Sequence, residues 1–288
     1  MRKQAIYYKT INVDGINIFY REAGDKSKPQ LILLNGIPNA SSAFQELIHD
    51  LREDFYLVAP DFPGFGNSDI PNKENFDYTF DNISLSIEKF IDQMGLTHPN
   101  VYALGYGGPI TFRIASRRPD LFNNYILQNS NVYEEGLGPA MHNAAPFLQD
   151  RHEETEKLVK PLLTLEGIKL FFLNGAKDIA NINPDGYLNA LYYLSRPGQE
   201  EIQLDLLYDY RTNIEEYPKW QKFLKEEQPR ILLVWGKNDV FFPLSAAEAI
   251  KKDVPSAELH VYDTSHLALE EHHEGIAVRI KAFLMPAN

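Results

Sequence analysis

The sequence predicts an α/β fold: a mostly parallel central sheet with helices on both faces, and a helical cap inserted late in the sheet. Three observations carry that expectation. Continuous apolar runs of strand length recur, among them Leu31-Ile32-Leu33-Leu34 and Ile231-Leu232-Leu233-Val234-Trp235. Such runs suit parallel strands buried on both faces. Segments of helical period separate them, so strand and helix alternate. The alternation stops near residue 132, gives way to helical and aromatic sequence up to about residue 222, and then resumes. The expected organisation is a core of residues 1–132 and 223–288 with a cap of residues 133–222.

Each element follows from its local pattern. Residues 6–13 and 16–21 alternate apolar and polar around Asp14-Gly15, which predicts a hairpin with a two-residue turn. Residues 30–34 are a buried strand, followed by the loop Asn35-Gly36-Ile37-Pro38-Asn39-Ala40. Ser41 or Ser42 is expected to cap a helix that runs to about Leu51. Residues 55–59 form the next strand, which ends in the turn-rich stretch Pro60-Asp61-Phe62-Pro63-Gly64-Phe65-Gly66-Asn67-Ser68. Residues 79–94 have helical period. Residues 101–104 are a strand that enters the turn Gly105-Tyr106-Gly107-Gly108-Pro109, after which a helix follows. Residues 125–129 are a strand. Within the cap, residues 157–173, 186–194 and 199–213 read as separate helices. The core then resumes with a strand at 230–235, a helix at 245–251, a strand at 258–262 and a closing helix at 270–284. A helical insert late in such a sheet lies over the carboxyl ends of the strands, where ligands bind. The cap is therefore expected to form a substrate pocket.

Composition narrows the function. The chain has 288 residues and a formal net charge of -12, which argues against nucleic acid and anionic membrane as partners. With no cysteine, disulfides, thiolate metal sites and a cysteine nucleophile are excluded. No apolar run approaches the ~20 residues of a membrane span. The start, Met1-Arg2-Lys3-Gln4-Ala5-Ile6-Tyr7, leads straight into strand-like sequence without a secretory apolar region, so a soluble cytoplasmic protein is expected. No histidine–carboxylate cluster has ligand spacing, so no metal is expected. A dinucleotide fingerprint fails as well: the frame that begins at Gly105 ends at Ile110, and Asn129 stands where the next strand should end in an acid. No cofactor is expected. Monomer and homodimer both remain open.

Strand, sharp turn and helix around Gly105 form the context of a nucleophile elbow. Asp239 follows the strand that ends in Trp235-Gly236, and His266 follows the strand that ends in Tyr262-Asp263. On these motifs the chain resembles the α/β-hydrolase superfamily over essentially its full length. It is most similar to the capped branch that includes haloalkane dehalogenases and epoxide hydrolases. Pro60 to Ser68 matches that branch's proline-glycine loop. Gly105-Tyr106-Gly107-Gly108-Pro109 resembles its elbow, where an aspartate precedes an aromatic residue, two small residues and proline. Trp235-Gly236-Lys237-Asn238-Asp239 and Thr264-Ser265-His266 resemble the acid and histidine loops.

The resemblance implies a hydrolase of a small apolar substrate. In it, His266 activates water, Asp239 orients and stabilises the imidazole, and the backbone N–H groups of Ile37 and Tyr106 form an oxyanion hole. Asp61 is expected to organise its loop. His49, His98, His142, His152, His260, His272 and His273 are read as surface or packing residues. The cap and its edge offer Tyr133, Tyr187, Tyr192, Tyr193, Tyr208 and Tyr210 as pocket residues that could hydrogen-bond a substrate oxygen. Asn35 stands where the family usually has histidine, and is expected near the oxyanion hole. Tyr106 occupies the place of a halide-binding tryptophan, which favours epoxide or ester chemistry over dehalogenation.

The main departure is Gly105 itself, at the nucleophile position. A deliberate knockout or a natural loss of the nucleophile would both leave glycine, which relieves the strain an elbow imposes on other residues. Three functional readings follow. The first is a hydrolase of epoxide-hydrolase or dehalogenase type, impaired by the missing nucleophile. The second is a binding homologue without catalysis. The third is a cofactor-free general-base enzyme that uses His266 and Asp239.

Overall fold

The computed structural model describes residues 4–285. The first three and last three residues of the expected core lie outside the described residues. Strand β1 (Ile6–Val13) pairs antiparallel with β2 (Ile16–Ala23), with Val13 opposite Ile16. Asp14 and Gly15 both have positive φ, 51° and 87°, as a type I′ turn requires. Strand β3 (Gln30–Leu34) is almost wholly buried. A 3₁₀ turn over Ser41–Phe44 then leads into helix α1 (Gln45–Leu51). Neither serine caps it. Ser41 N–H donates to Asp61 Oδ1, and Ser42 Oγ accepts from Asn189 Nδ2. Strand β4 (Tyr56–Pro60) precedes helix α2 (Phe80–Gln93), where Thr79 Oγ1 accepts from the N–H of Asn82 as the cap. Strand β5 (Asn100–Leu104), helix α3 (Gly107–Arg117) and strand β6 (Tyr125–Gln128) follow.

Between β6 and the next strand, the described residues hold helices and 3₁₀ turns only. The helices are α4 (Pro139–Gln149), α5 (Glu153–Val159), α6 (Leu165–Leu173), α7 (Pro184–Leu194) and α8 (Gln199–Glu227). Three expectations change here. Helix α4 was not anticipated. The helix expected over 157–173 is two, because Pro161 lacks the N–H that a continuous helix needs and the chain forms a 3₁₀ turn over Lys160–Leu163. The helix expected to end at 213 continues 14 residues further, through Pro218. Its buried side chains Tyr210, Asn213, Tyr217, Trp220 and Leu224 keep a spacing of three or four, so packing sustains the helix past the proline. Strand β7 (Ile231–Gly236), helix α9 (Leu244–Asp253), strand β8 (Glu258–Tyr262) and helix α10 (Leu269–Leu284) complete the fold.

The eight strands form one sheet in the order β1-β2-β4-β3-β5-β6-β7-β8. It is parallel from β4 to β8, with β1 and β2 joined antiparallel at one edge. Chain direction across the sheet reverses at β3 and β5, which are neighbours. The loops leaving their carboxyl ends therefore meet, which is where ligands bind in open α/β sheets. Among the described residues, no helix is long and apolar enough to cross a membrane.

Candidate active site

The turn after β5 is built by glycine. Gly105 has φ +53°, a left-handed conformation that most side chains resist. Its carbonyl accepts from Gly108 N–H at 3.1 Å and from Ser130 Oγ at 2.9 Å, which fixes the turn from behind. The loop after β3 presses against it. A Cβ on Gly36 would lie 2.7 Å from Tyr106 N and 2.8 Å from Leu104 O, so only glycine fits. This close approach places Ile37 and Tyr106 on the wall of one cavity. Among the described residues, neither backbone N–H finds an acceptor. Helix α3 starts just beyond, with no side-chain cap and no acidic residue in its first turn. The positive end of its dipole therefore faces this turn unneutralised.

His266 is buried at 4% exposure, and its Nδ1 lies 2.7 Å from Asp239 Oδ2. A carboxylate only accepts, so this geometry assigns the proton to Nδ1 and leaves Nε2 as the free ring nitrogen. Asp239 is held in turn. Its Oδ1 accepts from Phe241 N–H at 2.8 Å and its Oδ2 from Asn129 Nδ2 at 3.0 Å. Asn129 also donates to Gly236 O and accepts from Gly236 N–H, so it locks the acid loop to the end of β6. The sequence reading did not assign Asn129 a role. Its signal was the polar run Gln128-Asn129-Ser130-Asn131 that closes an otherwise apolar strand. Phe171, Phe241 and Phe242 ring the imidazole with centroids 5.6–6.1 Å away, and Phe171 stacks on Phe241 at 4.2 Å. They were missed too, since nothing local marks an aromatic residue as facing a site.

An ideal Cβ on Gly105 would stand 3.3 Å from His266 Nε2. The structure thus brings together Gly105, His266, Asp239, Ile37 and Tyr106. All but Asp239 border a cavity of about 40 Å³, whose remaining walls come from α4, α5, α6, α8, the 3₁₀ turn at Lys160–Leu163 and the loop of Phe241 and Phe242, and include Met141, Ala144, Leu148, Phe171 and Leu207. No Asp or Glu lines it among the described residues.

Most of the other expected pocket residues lie elsewhere. Tyr210 does line the cavity; its hydroxyl pairs with that of Tyr217 at 2.9 Å, and burial pushes its ionisation well up. Tyr133 turns away, donating its hydroxyl to Asp253 at 2.7 Å. Tyr187 packs edge-on against Phe172, Tyr192 is 64% exposed, and the Tyr193 hydroxyl accepts from Asn67 Nδ2. Tyr208 lies under the Arg211 guanidinium and against Phe147. Asn35 sits beneath its loop, buried, with Nδ2 donating to Asn39 O at 2.9 Å. It braces the loop backbone and does not line the cavity. Asp61 is fully buried and accepts backbone N–H bonds from Ser41 and Asn67. Burial lifts its pKa, and those bonds oppose the rise.

Residues 29–273 match the family model described as alpha/beta hydrolase fold. An uncharacterized hydrolase of Saccharomyces cerevisiae, YNR064C, is 36% identical over 280 residues, spanning 96% of both chains. Epoxide hydrolase 4 of Homo sapiens is 24% identical over 264 residues, covering 85% of this chain and 68% of the human protein. Among solved structures, Cfl2 of Burkholderia cenocepacia superposes with a TM-score of 0.81 at 17% identity, over 98% of this chain and 97% of that one.

Proposed function

Because the chain belongs to the alpha/beta hydrolase fold family, we propose that it carries the active site of an epoxide-hydrolase-type or dehalogenase-type hydrolase for a small apolar substrate, with the attacking side chain absent at Gly105. Residues 133–222 are its cap. One observation carries the reading: His266 Nε2 stands 3.3 Å from the place of a Cβ at Gly105, while Nδ1 is held by Asp239. With an aspartate at that position, its carboxylate would attack a substrate carbon and form an ester, which water activated by His266 would then hydrolyse. Ile37 and Tyr106 N–H groups would stabilise the oxyanion of that second step. Glycine supplies no attacking atom, so the chain as it stands has little or no covalent turnover.

The test is Gly105→Asp assayed on a panel of epoxides, esters and haloalkanes. The expected outcome is turnover on at least one member. A second replacement, His266→Ala, is expected to trap the ester as an adduct visible by mass spectrometry. Turnover on no panel member, and no adduct, would rule out position 105 as the nucleophile position. The unpartnered Nε2 also favours one second reading, direct general-base activation of water by the unmodified chain. Activity of that chain, abolished by His266→Ala, would favour it.

A further inference from the structure

We propose that two copies of this chain associate through the open edge of β8, each pairing that strand antiparallel with the other's about a two-fold axis at His260. The sheet has two free edges, β1 and β8. An edge strand offers unpaired N–H and C=O groups to any extended chain, and proteins block such edges with charge, lysine above all. β1 is blocked in this way, because Lys9 stands exposed in the middle of the strand. β8 is not. Its one Asp, Glu, Lys or Arg is Glu258 at its first position, and Val261 further along is 45% exposed. The Tyr262 carbonyl accepts from Lys237 N–H at the end of β7. Backbone direction alternates along a strand, so Glu258, His260 and Tyr262 turn their backbone groups to β7, and Leu259 and Val261 turn theirs outward. Outside the β7–β8 ladder, no backbone hydrogen bond reaches Leu259 or Val261 among the described residues.

The occupant follows from how the edge matches itself. With His260 on the axis, Leu259 faces Val261 of the second copy, and Val261 faces its Leu259. The outward-turned residues of both strands then exchange their hydrogen bonds, and the contact on that face of the sheet is aliphatic. On the other face, Glu258 comes opposite Tyr262 of the second copy. There the Arg279 guanidinium lies close enough to Tyr262 and His260 to act on the ionisation of both. Each end of the interface therefore sets one carboxylate against one guanidinium, and the two-fold repeats the match. A chain of net charge -12 needs such local complementarity to meet itself. The two His260 rings meet at the axis; burial and the Arg279 charge lower their pKa, so they face each other neutral at pH 7. Helix α10 covers this face, with the His272 ring tilted over that of Tyr262 at 5.0 Å. The same axis lays α10 beside its copy, and Val278 on that helix is 62% exposed.

Sedimentation velocity over a micromolar concentration series, with light scattering for the mass, tests this. The unmodified chain is expected to form a dimer, and the amides of Leu259 and Val261 to exchange more slowly as concentration rises. Val261→Lys charges the edge and is expected to weaken the dimer roughly tenfold or more. Glu258→Arg and Arg279→Glu, each alone, set like charges together at both ends of the interface and are expected to do the same. Both changes in one chain swap the signs and are expected to restore association to within about threefold of the unmodified chain. All three positions are exposed, so the variants should fold, which circular dichroism checks. A monomer at every concentration overturns the proposal. So does a dimer that Val261→Lys leaves intact, or a doubly swapped chain that associates no more tightly than either single variant. A dimer lost through Tyr8→Lys on β1 and kept in the β8 variants would place association at the other edge and overturn it too.

Discussion

Tyr106 combines a useful backbone with a costly side chain. Its N–H has no acceptor among the described residues, and its buried hydroxyl has no partner there either. The ring is held by Phe80 edge-on at 4.8 Å and by Tyr210 at 6.2 Å, and burial pushes its ionisation up. An unpaired buried hydroxyl costs about 1–3 kcal/mol, so Tyr106→Phe is expected to leave stability unchanged or raise it by about 1 kcal/mol. Urea unfolding measures this; a loss of that size would mean that the hydroxyl is satisfied by an ordered water. Residues of this site differ in how far the sequence reveals them. His266 and Asp239 are legible because each follows a strand run directly, and strand ends on one edge of a parallel sheet converge. The tyrosines of the helical insert are not. Which way a tyrosine points depends on the partner it meets, and Asp253 and Asn67 lie more than a hundred residues from Tyr133 and Tyr193 in sequence. Gly105 is legible in identity, and the structure adds what identity could not supply: the positive φ and the imidazole nitrogen facing it.

Among the elements, the two loops at the carboxyl ends of β3 and β5 carry the site, and their contact leaves no slack. A Cβ on Gly36 would fall under 3.0 Å from two backbone atoms of the neighbouring turn. Neither atom can rotate away as a flexible side chain would. Gly36→Ala is therefore expected to separate the loops and cost about 1–3 kcal/mol, the usual size of an overpacking penalty. Ligand affinity should fall with it, because Ile37 and Tyr106 would be moved apart on the wall of the cavity they share. Differential unfolding together with titration checks both effects; full affinity and unchanged stability would refute the close approach. The strands of this region are readable because parallel strands buried on both faces write continuous apolar runs. The helices above them are harder. Pro161 and Pro218 look alike in sequence, yet one splits a helix and the other does not. The difference is the load on the flanks. Residues after Pro218 continue the buried stripe through Trp220 and Leu224, while no residue of the 3₁₀ turn at Lys160–Leu163 is buried.

For the whole molecule, the helical insert is tied to the core by polar contacts around the seam. Arg196 and Gln199 donate to the carbonyls of Gly66 and Gly64, Asp209 accepts from Phe80 N–H, and Arg113 donates to Asn213. On the other side Glu271 accepts from the N–H groups of Lys177 and Asp178. Its neighbour Glu270 makes the seam sensitive to pH. A Cβ on Gly186 of α7 would lie 3.4 Å from Glu270 Oε2, so this half-buried carboxyl sits against the helical insert. Burial lifts its pKa to about 7; His273 opposes the rise and Glu46 adds to it. An unfolded glutamate titrates near 4.3. Between these values the folded chain holds a proton that the unfolded chain has lost, so stability falls as pH rises through this window and levels off above about 7. Glu270→Gln removes the dependence. At pH 8 it is expected to be more stable than the unmodified chain by about 1–3 kcal/mol, and at pH 4 equal to it. Urea midpoints at four or five pH values decide the matter: parallel profiles for the two proteins would mean that Glu270 ionises as freely as a solvated side chain and that the helical insert does not desolvate it. A converging pair, with the gap opening from pH 5 upward, would place the proton on Glu270 at the seam between the helical insert and α10, and make that contact tighter on the acidic side of neutrality.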